Sequence, residues 1–87
     1  MRIKEGFILR KVGKQYVVAA TGKASKDFNG MIRLNASAAY VFELLKEDMT
    51  EEGLVAALLK EYDVDEETAK LDVDAFLSKL KEAGALV

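Results

Sequence analysis

The chain has 87 residues, of which 51% are hydrophobic and 32% charged, and its formal net charge is −2. This length and composition are those of one globular domain, which we expect to span residues 1–87. The chain contains neither Cys nor His, which excludes disulfides and thiolate sites and removes the commonest general base and metal ligand. We therefore expect a protein that is not an enzyme and that holds no cofactor or metal.

No apolar run approaches the roughly 18 residues that a membrane span needs, and the first six residues lack the apolar core of a signal peptide. We therefore expect a cytoplasmic protein. The charge is uneven, with +6 on residues 1–46 and −8 on residues 47–87. Such an uneven charge can steer a charged partner to one face of the protein. The same distribution would also arise if the strands carried basic residues on their solvent-exposed face and the helices began with acidic first turns.

Three strands are predicted in the first half of the chain. The runs Phe7–Val12 and Gln15–Ala20 are separated only by Gly13-Lys14, and a two-residue connection that begins with Gly is typical of a type II′ hairpin. Residues 21–30 are polar and include two Gly, so they are predicted to form a loop that ends in a turn at Asn29-Gly30. The third strand is Met31–Leu34.

The apolar period changes to that of helices after the third strand. The first predicted helix begins at Asn35, the second at Thr50 and the third at Asp65, all favoured N-cap residues. The third helix is predicted to end near Ala83, with Gly84 as its C′ residue. The apolar faces expected in the core are Ala38, Val41, Phe42 and Leu45 in the first helix, Leu54, Val55, Leu58, Leu59 and Tyr62 in the second, and Ala69, Val73, Phe76, Leu77 and Leu80 in the third.

Strands followed by helices indicate an α+β protein. Three short antiparallel strands followed by three helices with short connections predict a winged helix-turn-helix. That arrangement makes DNA binding a candidate function, in which the third helix would enter a groove of the duplex. Its first half, residues 65–74, holds five acidic residues and one Lys, and phosphate contacts need cations. The basic residues of the hairpin, Arg10, Lys11 and Lys14, would hardly offset that repulsion.

The acidic segment from Asp63 to Asp74 also partly matches a calcium-binding loop. Its sixth position is Thr68, where the sharp turn of such a loop needs Gly, and its twelfth is Asp74 instead of a bidentate Glu. A helix cap at Asp65 with an acidic first turn explains the same residues, and we favour that interpretation.

The third helix has an apolar flank away from its core face. At about 100° per residue, Leu71 points nearly opposite the core residues, with Ala75 and Ser78 close to it. Isolated exposed apolar residues are common, but a shallow groove beside the helix would explain the flank too. The third strand is short, and one edge of a three-stranded sheet stays open. An open edge beside an apolar helix flank is what peptide binding by strand addition requires.

The sequence resembles the PqqD-like family, the recognition elements for precursors of ribosomally synthesised and modified peptides (RiPPs). The resemblance runs along "GFILRKV", "MIRLN" with "ASAAYVFELLKED", "TEEGLVAALLKEYDVD" and "DVDAFLSKLKEAGALV". Its most specific parts are Leu34-Asn35 and the final pattern of Asp72-Val73, Phe76-Leu77 and Leu80 before Gly84 and Leu86.

This resemblance implies a winged helix-turn-helix that binds peptide and not nucleic acid. The leader of a precursor peptide would add as a strand beside the third strand and pack against the third helix. The domain would then present the precursor to a modifying enzyme of natural product biosynthesis, often a radical SAM enzyme. The implied peptide-binding residues are Met31, Ile32, Arg33 and Leu34 of the strand and Leu71, Asp72, Ala75, Phe76 and Lys79 of the helix.

Within the third strand, Ile32 and Leu34 alternate with Met31 and Arg33, so only one pair can face the core. We expect the core pair to be Ile32 and Leu34, which leaves Met31 and Arg33 nearer the peptide. The sequence thus predicts a stand-alone peptide-binding adaptor. The alternatives are a winged-helix DNA-binding regulator and a self-associating module that forms a homodimer through the free strand edge.

Overall fold

A computed structural model of the chain describes residues 1–22, 24–27 and 30–87. The strands are β1 (Phe7–Val12), β2 (Gln15–Ala20) and β3 (Met31–Leu34), and the helices are α1 (Ala24–Asp27), α2 (Ala36–Leu44), α3 (Glu51–Glu61) and α4 (Glu66–Glu82). The first, second and third helices of the sequence analysis are α2, α3 and α4. The predicted α+β class, with three antiparallel strands ahead of three helices, is confirmed.

The strands form one antiparallel sheet in the order β1-β2-β3. Val12 pairs with Gln15 across the hairpin, so the connection has two residues as predicted. Gly13 has φ +62°, and no described residue other than glycine has a positive φ. A positive φ at the first central position alone defines a type II′ turn, which confirms the predicted hairpin.

The segment between β2 and β3 differs from its prediction. Ala24–Asp27 forms the short helix α1, where the sequence predicted a loop throughout residues 21–30. The Ser25 hydroxyl donates to the Gly22 carbonyl at 2.6 Å and stabilises the start of this turn. A helix of four residues is too short to show the helical spacing of apolar residues, so its sequence predicts a loop. The turn predicted at Asn29-Gly30 involves Asn29, which lies outside the described residues.

All three predicted N-caps are confirmed. The Asn35 side chain accepts a hydrogen bond from the Ala38 N–H at 2.9 Å. The Thr50 hydroxyl accepts from the Gly53 N–H at 3.0 Å. Asp65 accepts from the Thr68 N–H at 2.7 Å. Each side chain satisfies one of the N–H groups that a helix start leaves without a partner.

The end of α4 is a Schellman motif, which confirms the predicted role of Gly84. Gly84 has φ +70°, and its N–H donates to the Lys81 carbonyl at 3.0 Å. The Ala85 N–H donates to the Leu80 carbonyl at 2.8 Å. A left-handed residue after the helix makes both bonds possible, and Gly adopts that conformation without steric cost.

The core lies between one face of the sheet and the three longer helices. The strands contribute Phe7, Val18 and Leu34 to a cluster of buried residues that also includes most of the predicted helix faces. Leu59 was predicted to lie in the core, but it is 37% exposed, so this prediction is wrong. It lies at the outer edge of the α3 face, 100° beyond Leu58, and lines a hollow between α3 and α4. Among the described residues, no helix has the length and apolarity needed to cross a membrane.

Candidate functional site

One edge of the sheet is open at β3. This strand pairs with β2 on one side, and no described residue forms a hydrogen bond with its other side. An open edge presents main-chain N–H and C=O groups to any extended chain that approaches it. β3 is therefore available for pairing with a further strand.

The hydrogen-bonding pattern of the sheet determines which main-chain N–H and C=O groups of β3 face this edge. The Thr21 N–H donates to the Gly6 carbonyl at 2.6 Å, so the odd-numbered residues at this end of β2 direct their main-chain groups toward β1. Because these directions alternate along a strand, the even-numbered residues of β2 bond to β3. Met31 and Arg33 lie opposite odd-numbered residues. Their N–H and C=O groups therefore point away from β2, into the open edge.

The side chains of β3 also alternate, and they do so as the sequence predicted. Leu34 is 7% exposed and Ile32 is partly buried against the core. Met31 is 68% exposed, and Arg33 is exposed as well. The residues whose main-chain groups face the open edge are thus the ones whose side chains lie on the solvent face of the sheet.

A groove runs along the open edge, between β3 and α4. It consists of two adjoining hollows, and the one nearer α2 has a volume of about 220 Å³. Its floor includes Val41 and Leu58, which are 1% and 3% exposed. We call this feature the β3–α4 groove; its residues are Met31, Ile32, Arg33, Leu34, Asn35, Ser37, Ala38, Val41, Leu58, Asp72, Ala75, Phe76, Lys79, Glu82 and Ala83.

The structure brings eight of the nine predicted site residues together in this groove. They are Met31, Ile32, Arg33 and Leu34 on the strand side and Asp72, Ala75, Phe76 and Lys79 on the helix side. Leu71 is the ninth. It is 63% exposed, as its position on the helix predicted, but it does not line either hollow.

Other lining residues were not predicted from the sequence. The start of α2 contributes Asn35, Ser37 and Ala38, and the end of α4 contributes Glu82 and Ala83. Asn35 was singled out only as a helix cap. The one-residue connection between β3 and α2 is the signal that was available, because it places the first turn of α2 directly beyond the strand edge.

The charged residues of the groove are free to meet a ligand. Arg33, Asp72, Lys79 and Glu82 are all exposed, and none of them forms an ion pair with another described residue. The ion pairs of the described chain lie elsewhere, between the Met1 amino group and Asp48, Lys46 and Glu43, and Lys70 and Glu66. A bound peptide would therefore not have to break an existing pair.

The groove combines three properties that suit an extended peptide. Its strand side offers main-chain donors and acceptors, its floor is apolar and buried, and its rim carries unpaired charge. Strand addition uses main-chain hydrogen bonds for affinity and side-chain pockets for selectivity. Among the described residues, no group of three or more acidic side chains is placed to hold a metal ion.

Two solved structures share this fold. One is TbiB1 in complex with the TbiA(beta) leader peptide, with a TM-score of 0.74 and 24% identity over 99% of this chain and 94% of that one. The other is lasso peptide synthetase B1 complexed with the leader peptide, with a TM-score of 0.71 and 23% identity over 97% of this chain and 93% of that one. No curated protein matches the chain.

The family model that describes coenzyme PQQ synthesis protein D (PqqD) matches residues 10–86. The matched range includes β3, the start of α2 and the whole of α4, so both walls of the groove lie within it. The match covers most of the chain and confirms the resemblance seen in the sequence: the chain belongs to the PqqD family.

Proposed function

We propose that the chain is a peptide-binding adaptor that captures the leader of a ribosomally synthesised precursor peptide. The leader adds as a fourth strand to the open edge of β3 and lies in the β3–α4 groove. The observation that carries this proposal is the outward direction of the main-chain groups of Met31 and Arg33 beside an apolar floor. Family membership supports it, as do the two leader-peptide complexes that share the fold.

The adaptor would hand the precursor to a separate modifying enzyme, and the family resemblance favours a radical SAM enzyme as that partner. Holding the leader makes the encounter between the enzyme and the rest of the precursor effectively intramolecular. The chain then contributes to the rate of modification without taking part in the chemistry. Genes for a short precursor peptide and a radical SAM enzyme beside the gene for this chain would support this assignment.

The direct test replaces Arg33 with Pro, which removes one outward N–H without disturbing the pairing of β3 with β2. A lost hydrogen bond of this kind costs about 0.5–1.5 kcal/mol, or roughly two- to tenfold in affinity. The measurement is a calorimetric titration with the leader of a candidate precursor peptide, identified from the genes that neighbour the gene for this chain. We expect Arg33→Pro to weaken binding while the thermal unfolding midpoint changes little.

The matched control is Arg33→Ala, which removes the side chain and keeps the N–H. The difference in affinity between the Ala and Pro variants reports the main-chain bond alone. Equal affinities for the two variants would mean that the peptide does not pair with β3, and the proposal would then be wrong.

A further inference from the structure

Two cationic residues on opposite walls of the β3–α4 groove lie where its two hollows adjoin. Arg33 comes from the strand and Lys79 from the helix, and both residues line both hollows. Both are exposed, and neither forms an ion pair or a side-chain hydrogen bond with a described residue. The junction of the two hollows is therefore a place where two unpaired positive charges face whatever occupies the groove.

The remaining charges of the groove lie on either side of this junction. Asp72 lines the hollow nearer α2, and Glu82 lines the other one. At 1.5 Å per residue along α4, Asp72 lies about 10 Å from Lys79 and Glu82 about 4.5 Å from it. Lys79 and Glu82 have the i, i+3 spacing of helix pairs, yet they form no ion pair. The groove thus has a positive centre and negative ends.

A nucleic acid fits this charge pattern poorly. A phosphate backbone carries negative charge at every step, so it would meet Asp72 and Glu82 as well as the two cations. An extended peptide can place one negative side chain at the centre and neutral side chains toward the ends. The charge pattern therefore favours a peptide with a single, positioned acidic residue.

We propose that the groove selects leader segments that carry an Asp or Glu side chain opposite Arg33 and Lys79. The carboxylate binds between the two cations, and residues about two to four positions away, near Asp72, are not acidic, given 3.3 Å per residue of strand. This inference rests on the proposed function and deepens it, because it names the feature of the peptide that the site recognises. Apolar residues of the same segment lie on the buried floor.

The test uses a phage library of random twelve-residue peptides, selected against the wild-type chain and against the double variant Arg33→Glu/Lys79→Glu. The control is Lys60→Glu/Lys81→Glu, which changes the net charge equally at exposed lysines outside the groove. We expect the wild type and the control to enrich peptides with one acidic position among apolar residues. The groove variant should enrich Lys or Arg at that position.

An enriched peptide is then synthesised with Glu and with Gln at the selected position. The change to Gln should weaken binding to the wild type about five- to tenfold, since charge-assisted bonds are stronger than neutral ones, and should not weaken binding to the groove variant. Apolar peptides enriched without an acidic preference, or an acidic preference that survives charge reversal, would overturn this inference and leave peptide capture intact. Failure to enrich any peptide would contradict peptide capture itself, as would retention of duplex DNA that the groove variant loses.

Discussion

Asn35 ends β3 and begins α2 at a single residue. Its backbone is extended, with φ −82° and ψ 178°, and its side chain accepts from the Ala38 N–H and from the Ser37 hydroxyl at 3.0 Å. An extended residue with a capping side chain needs no further linker. The first turn of α2 is thereby fixed beside the strand, and Ser37 and Ala38 become part of the groove wall. This short connection is why the open edge of β3 has a floor beneath it.

Asp65 makes the start of α4 sensitive to acid. Hydrogen bonds from the Thr68 side chain and backbone N–H lower the pKa of Asp65 below its ordinary value of 3.8. Because the pKa is lower in the folded state, the stabilisation by the charged cap is complete above the unfolded value and is lost as the pH falls through the folded value. We expect Asp65→Ala to lower the thermal unfolding midpoint by a few degrees at pH 7 and by less near pH 3.

Asp65→Asn is the matched control for this prediction. Asn is an equally favourable cap that does not titrate in this range, so it should preserve the midpoint at pH 7. Thermal unfolding followed by circular dichroism at several pH values makes the comparison. A difference between wild type and Asp65→Ala that is the same at every pH would show that the charge of this carboxylate does not contribute.

At the scale of elements, α4 presents three different faces. Its core face includes Val73 and Leu80, which are fully buried. A second face, with Ala75 and Lys79, forms the helix wall of the groove. Leu71, about 40° from Ala75 around the helix axis, lines neither hollow of the groove. Ala75 and Lys79 are exposed, so either can be changed without loss of the fold, whereas Phe76 and Ala83 line the groove and also belong to the buried core.

Ala75→Glu tests the helix wall of the groove. The longer, charged side chain would occupy space that the peptide needs and would bring a charge against its apolar residues. We expect leader affinity to fall about tenfold or more while the unfolding midpoint changes little. Leu71→Glu adds the same charge outside the two hollows and should weaken binding less. Equal affinities of wild type and Ala75→Glu, measured by titration, would place the peptide elsewhere.

The strands, the three longer helices and their caps were predictable because each has a local signal. The pairs Gly13-Lys14 and Ala83-Gly84 mark a turn and a helix end by residue type alone. The short helix α1 has no such signal, and neither does the exposure of Leu59, which depends on how far α4 covers α3. The site was predicted from the family resemblance and from the angular position of Leu71 around the third helix. That position correctly predicts that Leu71 is exposed to solvent, but only tertiary packing decides which exposed residues line a groove.

At the scale of the whole molecule, a short peptide strand is long enough to cross the domain. The molecule measures 38 × 29 × 18 Å, and a strand of eight residues spans roughly 27 Å. A leader of that length would cross the domain and leave the rest of the precursor outside it. In the proposed function, the leader would stay bound to the domain while a second protein modifies the part of the precursor that lies outside it.

Amide hydrogen exchange along β3, measured with and without the leader peptide, tests the central claim most directly. The Ile32 and Leu34 N–H groups bond to β2 and should exchange slowly in both conditions. The Met31 and Arg33 N–H groups face the open edge, so they should exchange fast in the free chain and slowly once a peptide strand pairs with them. Saturating peptide that leaves both of these amides exchanging fast would contradict strand addition at β3.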